Sequence, residues 1–439
     1  MRLLLTSLVV AVWIAAGAVF APAEAAPTSP ADSLSPAAYL EDFEAAWTFV
    51  RDNYAYPDRK KTNWDRARTY FLPRLKAVRE NGAFIALLEE MLEQLYDAHA
   101  HLGVNTASSP RLVPSGTDLW AEHQGGRVII TDVRAGSEAE RAGVLPGMEV
   151  VSVNGRPIRE AVRERLPVTL READPAAEDW ALRAVLAGRH DAPVRVEVRD
   201  GERRKAIEFR PGSSNRPSSP LTVKILGGNI GYVRLHDSLG NNDLVAAWDS
   251  ALVTIRETRG LILDLRDTPS GGNTTTARGL MSRLISDARP YQRHDLPSEE
   301  RQYGVLRLWV EYVAPRGPFT YERSVAVLVG HWTGSMGEGV AIGLDGMKRA
   351  TVVGTRMAGL CGANYDTTLP HTGIAVRVPA ERLYHVDGTP REAFVPPVLV
   401  DPMSPKSRGD FVGRDAANKD WAMEAALELL RKGEGIPPH

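Results

Sequence analysis

The chain has 439 residues, of which 43% are apolar and 25% are charged, enough to bury a sizeable core in a globular protein of more than one domain. Its 53 basic and 55 acidic residues leave a formal net charge of −2 and form no basic run, which argues against a nucleic-acid partner. The single cysteine, Cys361, excludes an internal disulfide.

The N-terminus has the pattern of a secretory signal peptide over residues 1–25. An apolar stretch from Leu3 to about Phe20 precedes Ala23-Glu24-Ala25, an A-x-A cleavage site. The alternative is an uncleaved membrane anchor, because the stretch approaches the roughly 18 residues that can span a bilayer. The cleavage site and the Pro/Ser-rich segment after it favour removal. We therefore expect an exported protein, periplasmic or extracellular, without a stable membrane span.

Residues 36–105 have helical periodicity. Phe43, Trp47, Val50 and Tyr54 recur at helical spacing and form one apolar face. A second helix is expected to begin after Asn63, and a third to follow in FIALLEEMLEQLYDAHAHLGVN. The sequence predicts a small helical N-terminal cap.

Residues 112–212 consist of short β-like runs separated by turn residues. Pro146-Gly147 suits the centre of a type II turn, and Asn154-Gly155 suits a tight hairpin. A short helix is expected at SEAERAG, and a further helix in the segment PVTLREADPAAEDWALRAVLAG. The order of these elements resembles that of a PDZ domain, which captures an extended peptide by adding it to a sheet edge.

Residues 220–432 alternate strand-like and helical segments, which predicts an α/β core with several parallel strands. Two buried strands, GLILDLRD and SVAVLVG, each run into a glycine-containing turn that opens a helix.

Ser335 lies in the second of these turns, in GSMGEG. A serine at a helix N-terminus is a candidate nucleophile, because free N–H groups and the helix dipole favour developing negative charge there. Serine is also among the best helix caps, and from the local motif alone the cap is the favoured role. Gly271 and Gly272, in the first turn, together with the N–H of Met336, are candidates for an oxyanion hole. The alternative is a tight glycine turn.

A serine nucleophile needs a base. Lys348 falls on the same predicted helix as Ser335 but points away, so histidine is the better candidate. His99 lies at the end of the helical region, where a change from helix to loop can direct a side chain into a cleft, and His101 is a close competitor. The other candidates are His371 and His385, and the residues alone do not rank His99 above them. Glu338 is expected to be a first-turn carboxylate that complements the helix dipole. No cluster has the spacing of a metal site, and no cofactor is expected.

Several motifs in order resemble the C-terminal-processing and tricorn-type serine peptidase family. They are the L-x-D-x-H segment at Leu95, Asp97 and His99, the PDZ-like module, GYVRL followed by LILDLRDTPSGGN, AVLVGHWTGSMGEG, VVGTRMAG, and HVDGTPREAFVPPVLV. The resemblance implies a crotonase/ClpP-like α/β core over 220–432, with a PDZ-like domain over 112–212 and the helical cap. It implies that Ser335 is the nucleophile and His99 the general base.

By the same resemblance, Gly271, Gly272 and Met336 form the oxyanion hole, and Glu392 matches the acidic member of the tricorn-type charge network. Two departures stand out. The Ser–Lys branch has its lysine in the stretch that reads GTRMAGLCG here, without lysine, which rules out that mechanism. The tricorn type has a serine before the histidine, and here Ala98 takes that position, leaving Asp97 as a second candidate to orient the imidazole.

The resemblance therefore predicts an exported serine endopeptidase that acts on peptides or unfolded proteins, with the substrate C-terminus as the feature that the PDZ-like domain would capture. The glycine-rich loop that receives a peptide carboxylate is not obvious, and SGTDLW is the nearest candidate. The main alternative is a non-catalytic peptide-binding scaffold with a protease-like fold. An esterase or other acyl hydrolase is the third.

Overall fold

The structure is a computed structural model that describes residues 33–212, 217–400 and 420–432. The predicted signal peptide at residues 1–25 lies outside these ranges. Within them, no helix combines the length and apolar character needed to cross a membrane.

The N-terminal region is helical. It contains α1 (Pro36–Asn53), α2 (Trp64–Phe71) and α3 (Asn81–Leu92). The Ser35 hydroxyl caps α1 by accepting from the Ala38 N–H. The apolar face predicted for α1 is buried, with Phe43 and Val50 almost inaccessible to solvent. These helices share one apolar cluster with Val376 and Val378, so the cap packs directly on a strand of the C-terminal region.

The middle region, about residues 112–212, is built around an antiparallel sheet. Its elements are β2 (Leu119–Gln124), β3 (Arg127–Val133), α4 (Glu138–Arg141), β4 (Glu149–Val153), β5 (Arg156–Pro157), α5 (Ile158–Arg165), α6 (Pro175–Ala187), β6 (Val194–Asp200) and β7 (Arg203–Phe209). The strand order of the sheet is β2-β3-β4-β6-β7, and β5 pairs with β4. Asn154 and Gly155, both with positive φ, form the tight turn between β4 and β5. Helices α4 and α6 occupy the two segments for which helices were predicted.

The C-terminal region contains a six-stranded sheet with helices packed on it. Its strands and helices are β8 (Leu221–Leu226), β9 (Ile230–Leu235), α7 (Leu244–Thr254), β10 (Gly260–Asp264), α8 (Thr274–Met281), β13 (Ser324–Val329), α10 (Met336–Gly346), β14 (Thr351–Gly354), β17 (Val398–Leu399) and α11 (Trp421–Lys432). The strand order of the sheet is β17-β14-β13-β10-β9-β8, and every pair of neighbours is parallel except β8 with β9. All residues of β10 are buried. Its first four, GLIL, are apolar or glycine, as expected of a central parallel strand, and the carboxylate of Asp264 at its end is paired with Arg266. The prediction of an α/β fold is confirmed.

A third sheet, antiparallel, joins the cap to this core. Its elements are β1 (His101–Leu102), β11 (Arg289–Leu296), α9 (Pro297–Tyr303), β12 (Arg307–Val313), β15 (Ala363–Thr368) and β16 (Ala375–Tyr384). The strand order of this sheet is β1-β16-β11-β12, and β15 pairs with β16. Because β1 follows His99 by two residues, its pairing with β16 attaches the end of the cap to the core.

The parallel pairing of β10 and β13 continues into the two turns that follow these strands. The Thr268 N–H donates to the Trp332 carbonyl at 3.1 Å, and the Gly334 N–H donates to the Thr268 carbonyl at 3.2 Å. The carboxyl ends of parallel strands are where α/β proteins place their binding sites. This pairing brings the Gly271-Gly272 turn beside Ser335.

The middle region also contacts these turns. Trp332 Nε1 donates to the Thr117 carbonyl at 2.8 Å, and the Trp120 ring stacks on His331 with 4.5 Å between ring centroids. Arg134 forms an ion pair of 2.8 Å with Asp267, and its side chain is nearly buried. The middle region is therefore fixed to both turns that follow the central strands.

Candidate active site

Ser335 lies at the N-terminus of α10 with φ of 51° and ψ of −110°. This left-handed backbone is unfavourable for a residue with a side chain and persists only where the surroundings impose it. The Ser335 N–H donates to Glu338 Oε2 at 2.7 Å, so this N–H is not available to a ligand. Ser335 itself is half-buried and lines a cleft.

The Gly271-Gly272 turn packs so closely that neither position accommodates a side chain. A Cβ on Gly271 would lie 2.4 Å from the Ser335 Cβ, and one on Gly272 would lie 2.1 Å from the Leu239 carbonyl oxygen. The Gly271 N–H donates to the Thr268 carbonyl at 3.2 Å. Of the three groups predicted to form an oxyanion hole, two have an unused N–H in the described residues: Gly272, and Met336 in the first helical position, where an N–H has no intrahelical acceptor.

His99 lies in the same cleft as Ser335. Its backbone N–H donates to Asp97 Oδ1 at 3.0 Å, and its Nδ1 lies 2.7 Å from the Cys361 carbonyl oxygen. A carbonyl only accepts hydrogen bonds, so Nδ1 carries the proton and Nε2 is left with its lone pair. Burial, together with the positive charge of Arg391, lowers the pKa of His99 to about 4. The neutral imidazole is therefore the resting form at neutral pH, as a proton acceptor requires.

The other histidine candidates differ in position. His101 also lines the cleft, with its Nδ1 2.7 Å from the Leu102 carbonyl oxygen. His371 bonds Glu41 at 2.7 Å, and His385 lies between Asp345 and Asp387 at 3.2 and 2.9 Å. These last two do not line the cleft.

The cleft has a volume of about 930 Å³. It brings together Ser335, His99, Gly272 and Met336 between the two glycine-containing turns and the third sheet. No hydrogen bond joins Ser335 to His99 in the part of the chain that the structure describes.

Glu392 forms no hydrogen bond or ion pair with His99 among the described residues. It lies in a short 3₁₀ turn, Arg391–Ala393, and one carboxylate oxygen accepts from Arg59 of the cap. Its other oxygen is buried without a hydrogen-bond partner among the described residues. The hydrogen bond between Glu392 and His99 that the family pattern allows is therefore absent, and Ala98 provides no hydroxyl to bridge them.

Glu338 has a larger role than sequence reasoning assigned to it. It is fully buried, and while Oε2 accepts from Ser335, Oε1 accepts from the Gly359 N–H at 2.9 Å. Burial raises the pKa of Glu338 to about 7, although Arg391 and both N–H groups oppose this shift. The sequence signal was the S-x-x-E pattern of a capping box. The bond to Gly359 depends on a loop distant in sequence.

The loop after Gly359 connects the Ser335 turn to His99. Arg391 Nη2 donates to the Leu360 and Gly362 carbonyls at 3.1 and 2.7 Å, on either side of Cys361. The Cys361 carbonyl between them holds His99 Nδ1. Glu338 and Arg391 thus position both functional side chains through one loop, an arrangement suited to acyl transfer.

Comparison with known proteins gives two domain matches. Residues 229–397 match peptidase family S41, and residues 35–93 match the tricorn protease C1 domain. A carboxyl-terminal-processing protease of Synechocystis sp. is 24% identical over 324 residues, 72% of this chain and 69% of that protein. Chloroplastic carboxyl-terminal-processing peptidase 3 of Arabidopsis thaliana is 24% identical over 240 residues, 52% of this chain and 44% of that protein.

Solved structures share the fold. Mature CPAF aligns with a TM-score of 0.61 at 14% identity, over 91% of this chain and 98% of that one. The photosystem II D1 C-terminal processing protease aligns with a TM-score of 0.52 at 20% identity, over 87% of this chain and 98% of that one. The architecture is thus retained at low sequence identity.

His99 is expected to titrate with a midpoint of about pH 4 and to stay neutral from about pH 5 to 8, because burial and Arg391 disfavour the imidazolium. NMR of the ring protons, assigned by comparison with His99→Gln, measures this. His385 is the internal control, because its hydrogen bonds to Asp345 and Asp387 raise its pKa above the ordinary value. A His99 midpoint near 6.5 would contradict the structure.

Glu338→Ala is expected to lower the free energy of unfolding by about 2–4 kcal/mol, because it leaves the N–H groups of Ser335 and Gly359 without their acceptor. Denaturant unfolding at pH 8 measures the change. Glu160→Ala removes an exposed first-turn glutamate from α5 and is the matched control, with an expected change within about 0.5 kcal/mol. Equal effects of the two substitutions would argue against the bridging role.

Proposed function

Because this chain belongs to the C-terminal-processing and tricorn-type peptidases of family S41, we propose that it is a serine endopeptidase with Ser335 as nucleophile and His99 as general base. The observation that carries the proposal is the tautomer of His99. Its Nδ1–H is held by the Cys361 carbonyl, which leaves the lone pair on Nε2, and His99 and Ser335 line the same cleft.

The proposed reaction is acyl transfer to water through an acyl-enzyme. His99 Nε2 takes the Ser335 hydroxyl proton as Oγ bonds to the peptide carbonyl carbon, and the oxyanion is stabilised by the Met336 and Gly272 N–H groups. The imidazolium then gives its proton to the leaving amine as the C–N bond breaks. Water, deprotonated by the same imidazole, attacks the ester and releases the acid and the free serine.

Two observations support a histidine base over a lysine base. No lysine lines the cleft among the described residues. The loop that contains a lysine in the Ser–Lys branch provides a backbone carbonyl here, that of Cys361, which bonds His99. The thiol of Cys361 is unsuited to act as a nucleophile, since burial raises its pKa well above the ordinary value.

We propose that Asp97 stabilises the imidazolium and that Glu392, the family's acidic residue, contributes less in this chain. Asp97 Oδ1 accepts from the His99 backbone N–H, Oδ2 accepts from the Tyr54 hydroxyl at 2.7 Å, and the carboxylate charge raises the pKa of His99. Glu392 is paired with Arg59. The nearest negative charge fixed to the histidine is therefore that of Asp97.

The middle region is proposed to be a PDZ-like domain that captures an extended peptide. Strand β2 is at the edge of its sheet, and α6 packs along β2. This is the arrangement in which a peptide adds as a further strand. The loop before β2 contains Thr117, whose carbonyl bonds Trp332 three residues before Ser335. The proposed substrates are peptides or unfolded proteins, with the C-terminus as the captured feature.

The proposed location is the periplasm or the extracellular space. The support is the signal-peptide pattern of residues 1–25. Export places the enzyme where it meets exported protein chains.

A fluorophosphonate probe is expected to label the chain at near-neutral pH, because only an activated serine reacts with it. Ser335→Ala should abolish labelling, and His99→Ala should slow it by roughly 10²–10⁴-fold, the usual contribution of a general base. His371→Ala removes a histidine outside the cleft and should leave labelling unchanged. A wild-type chain that binds peptide but is never labelled, even with peptide present, would favour the non-catalytic scaffold.

Asp97→Asn is expected to lower kcat by about 10-fold, equivalent to about 1.4 kcal/mol of lost imidazolium stabilisation. It should also move the acid limb of the kcat/KM profile to lower pH, because the Asp97 charge raises the pKa of His99. Glu392→Gln is the matched carboxylate-to-amide control and should leave that limb in place. If Glu392→Gln has the larger effect and shifts the limb, Glu392 is the acid of the site.

A further inference from the structure

Strand β12 forms one edge of the third sheet. It pairs with β11 along its length, from Arg307 opposite Leu296 to Val313 opposite Arg289, and no strand covers its other edge in the described ranges. The N–H and C=O groups on that edge are available to a further strand. Proteins usually protect such an edge with charges, proline or a short strand length.

The solvent-facing side of β12 is apolar instead. Exposure alternates along the strand, so that Leu308, Val310 and Tyr312 face outward with 58%, 40% and 57% of their surface accessible, while Trp309 and Glu311 face inward. Three further exposed apolar side chains precede the strand: Tyr303, Val305 and Leu306. Six large exposed apolar side chains thus lie within ten residues of the chain, and an exposed apolar concentration of this kind is typical of a protein–protein interface.

We propose that this edge pairs with β12 of a second copy of the chain, antiparallel about a two-fold axis at Trp309. In this register Arg307 lies opposite Glu311 of the second copy, and Leu308 lies opposite Val310. The strand is self-complementary because every opposed pair is opposite in charge, apolar or the same aromatic residue. The outward apolar side chains of the two copies then form one continuous stripe across the interface.

The charges at the edge fit this register. Arg307 is exposed and already bonds Glu299 at 3.0 Å, and the second copy's carboxylate would extend that pair into a network. Glu311 is 20% exposed; it lies 3.4 Å from Arg278 through Oε1, and its Oε2 accepts from the Tyr291 hydroxyl at 2.6 Å and lies 3.5 Å from His294. Arg307 of the second copy would join this network. The charge pattern therefore favours a second copy over a peptide of arbitrary sequence, because such a peptide would form only the backbone hydrogen bonds of the added strand.

A segment of the same chain is a weaker candidate to cover the edge. Residues 401–419 read DPMSPKSRGDFVGRDAANK, which has two prolines, frequent charges and no alternating apolar run. Such a sequence does not match a strand with three outward apolar side chains. The apolar N-terminal stretch belongs to the predicted signal peptide. The test therefore uses the chain from Ala26 onward.

Sedimentation equilibrium of that chain is expected to give a reversible dimer. Leu308→Lys combined with Val310→Lys places lysine opposite lysine and should weaken the dimer by at least about 30-fold, the loss typical of a central interface side chain. Ile225→Lys is the matched control: Ile225 is 56% exposed on β8, the edge strand of another sheet, and its substitution should leave the dimer intact. A monomeric wild type, or a dimer that the double variant does not weaken, would overturn the proposal.

Cysteine cross-linking tests the register and does not depend on the lysine variant folding. A mixture of Leu308→Cys chains and Val310→Cys chains should form a disulfide-linked heterodimer under mild oxidation, faster than either variant alone. The wild-type chain, which has only Cys361, controls for linkage through the native thiol. Absence of preferential heterodimer formation would rule out the proposed pairing. None of these measurements depends on peptidase activity.

Discussion

The buried carboxylate of Glu338 is the constraint on which the site depends. By accepting from both Ser335 and Gly359, it connects the turn after β13 to the loop whose next residues hold His99. Breaking either hydrogen bond would leave a buried polar group of Glu338 or of its donor without a partner, which is costly. This cost maintains the left-handed backbone of Ser335. Arg391 fixes the same loop from its other side.

The contacts between the middle region and the core end at the same turn. Trp332, the Trp120–His331 stack and the Arg134–Asp267 ion pair lie within a few residues of Ser335 or of the Gly271-Gly272 turn. Any displacement of β2 and the loop before it acts directly on these segments. The loop before β2 is therefore in direct contact with the turn that contains Ser335, with no intermediate element.

The site departs from the family pattern in a consistent way. The stretch GTRMAGLCG has no lysine, and the carbonyl of its Cys361 orients a histidine instead. Ala98 leaves no bridge to Glu392, which pairs with Arg59, while Asp97 holds the backbone of His99. The Cys361 carbonyl, which bonds Nδ1, gives the imidazole of His99 a defined tautomer.

The sequence by itself determined the α/β class, the helical cap, the strands that precede both glycine turns and the candidate residue Ser335, because periodicity and turn chemistry are local properties. His99 was distinguished from the other histidines only by the family resemblance. Only the tertiary structure decided what these residues contact. The use of the Gly271 N–H within its own turn, the pairing of Glu392 with Arg59, the second bond of Glu338 to Gly359 and the exposed apolar side of β12 were invisible in the sequence. Each depends on how segments distant in sequence pack against one another. Strand order and packing determine these contacts, and no local sequence pattern encodes them.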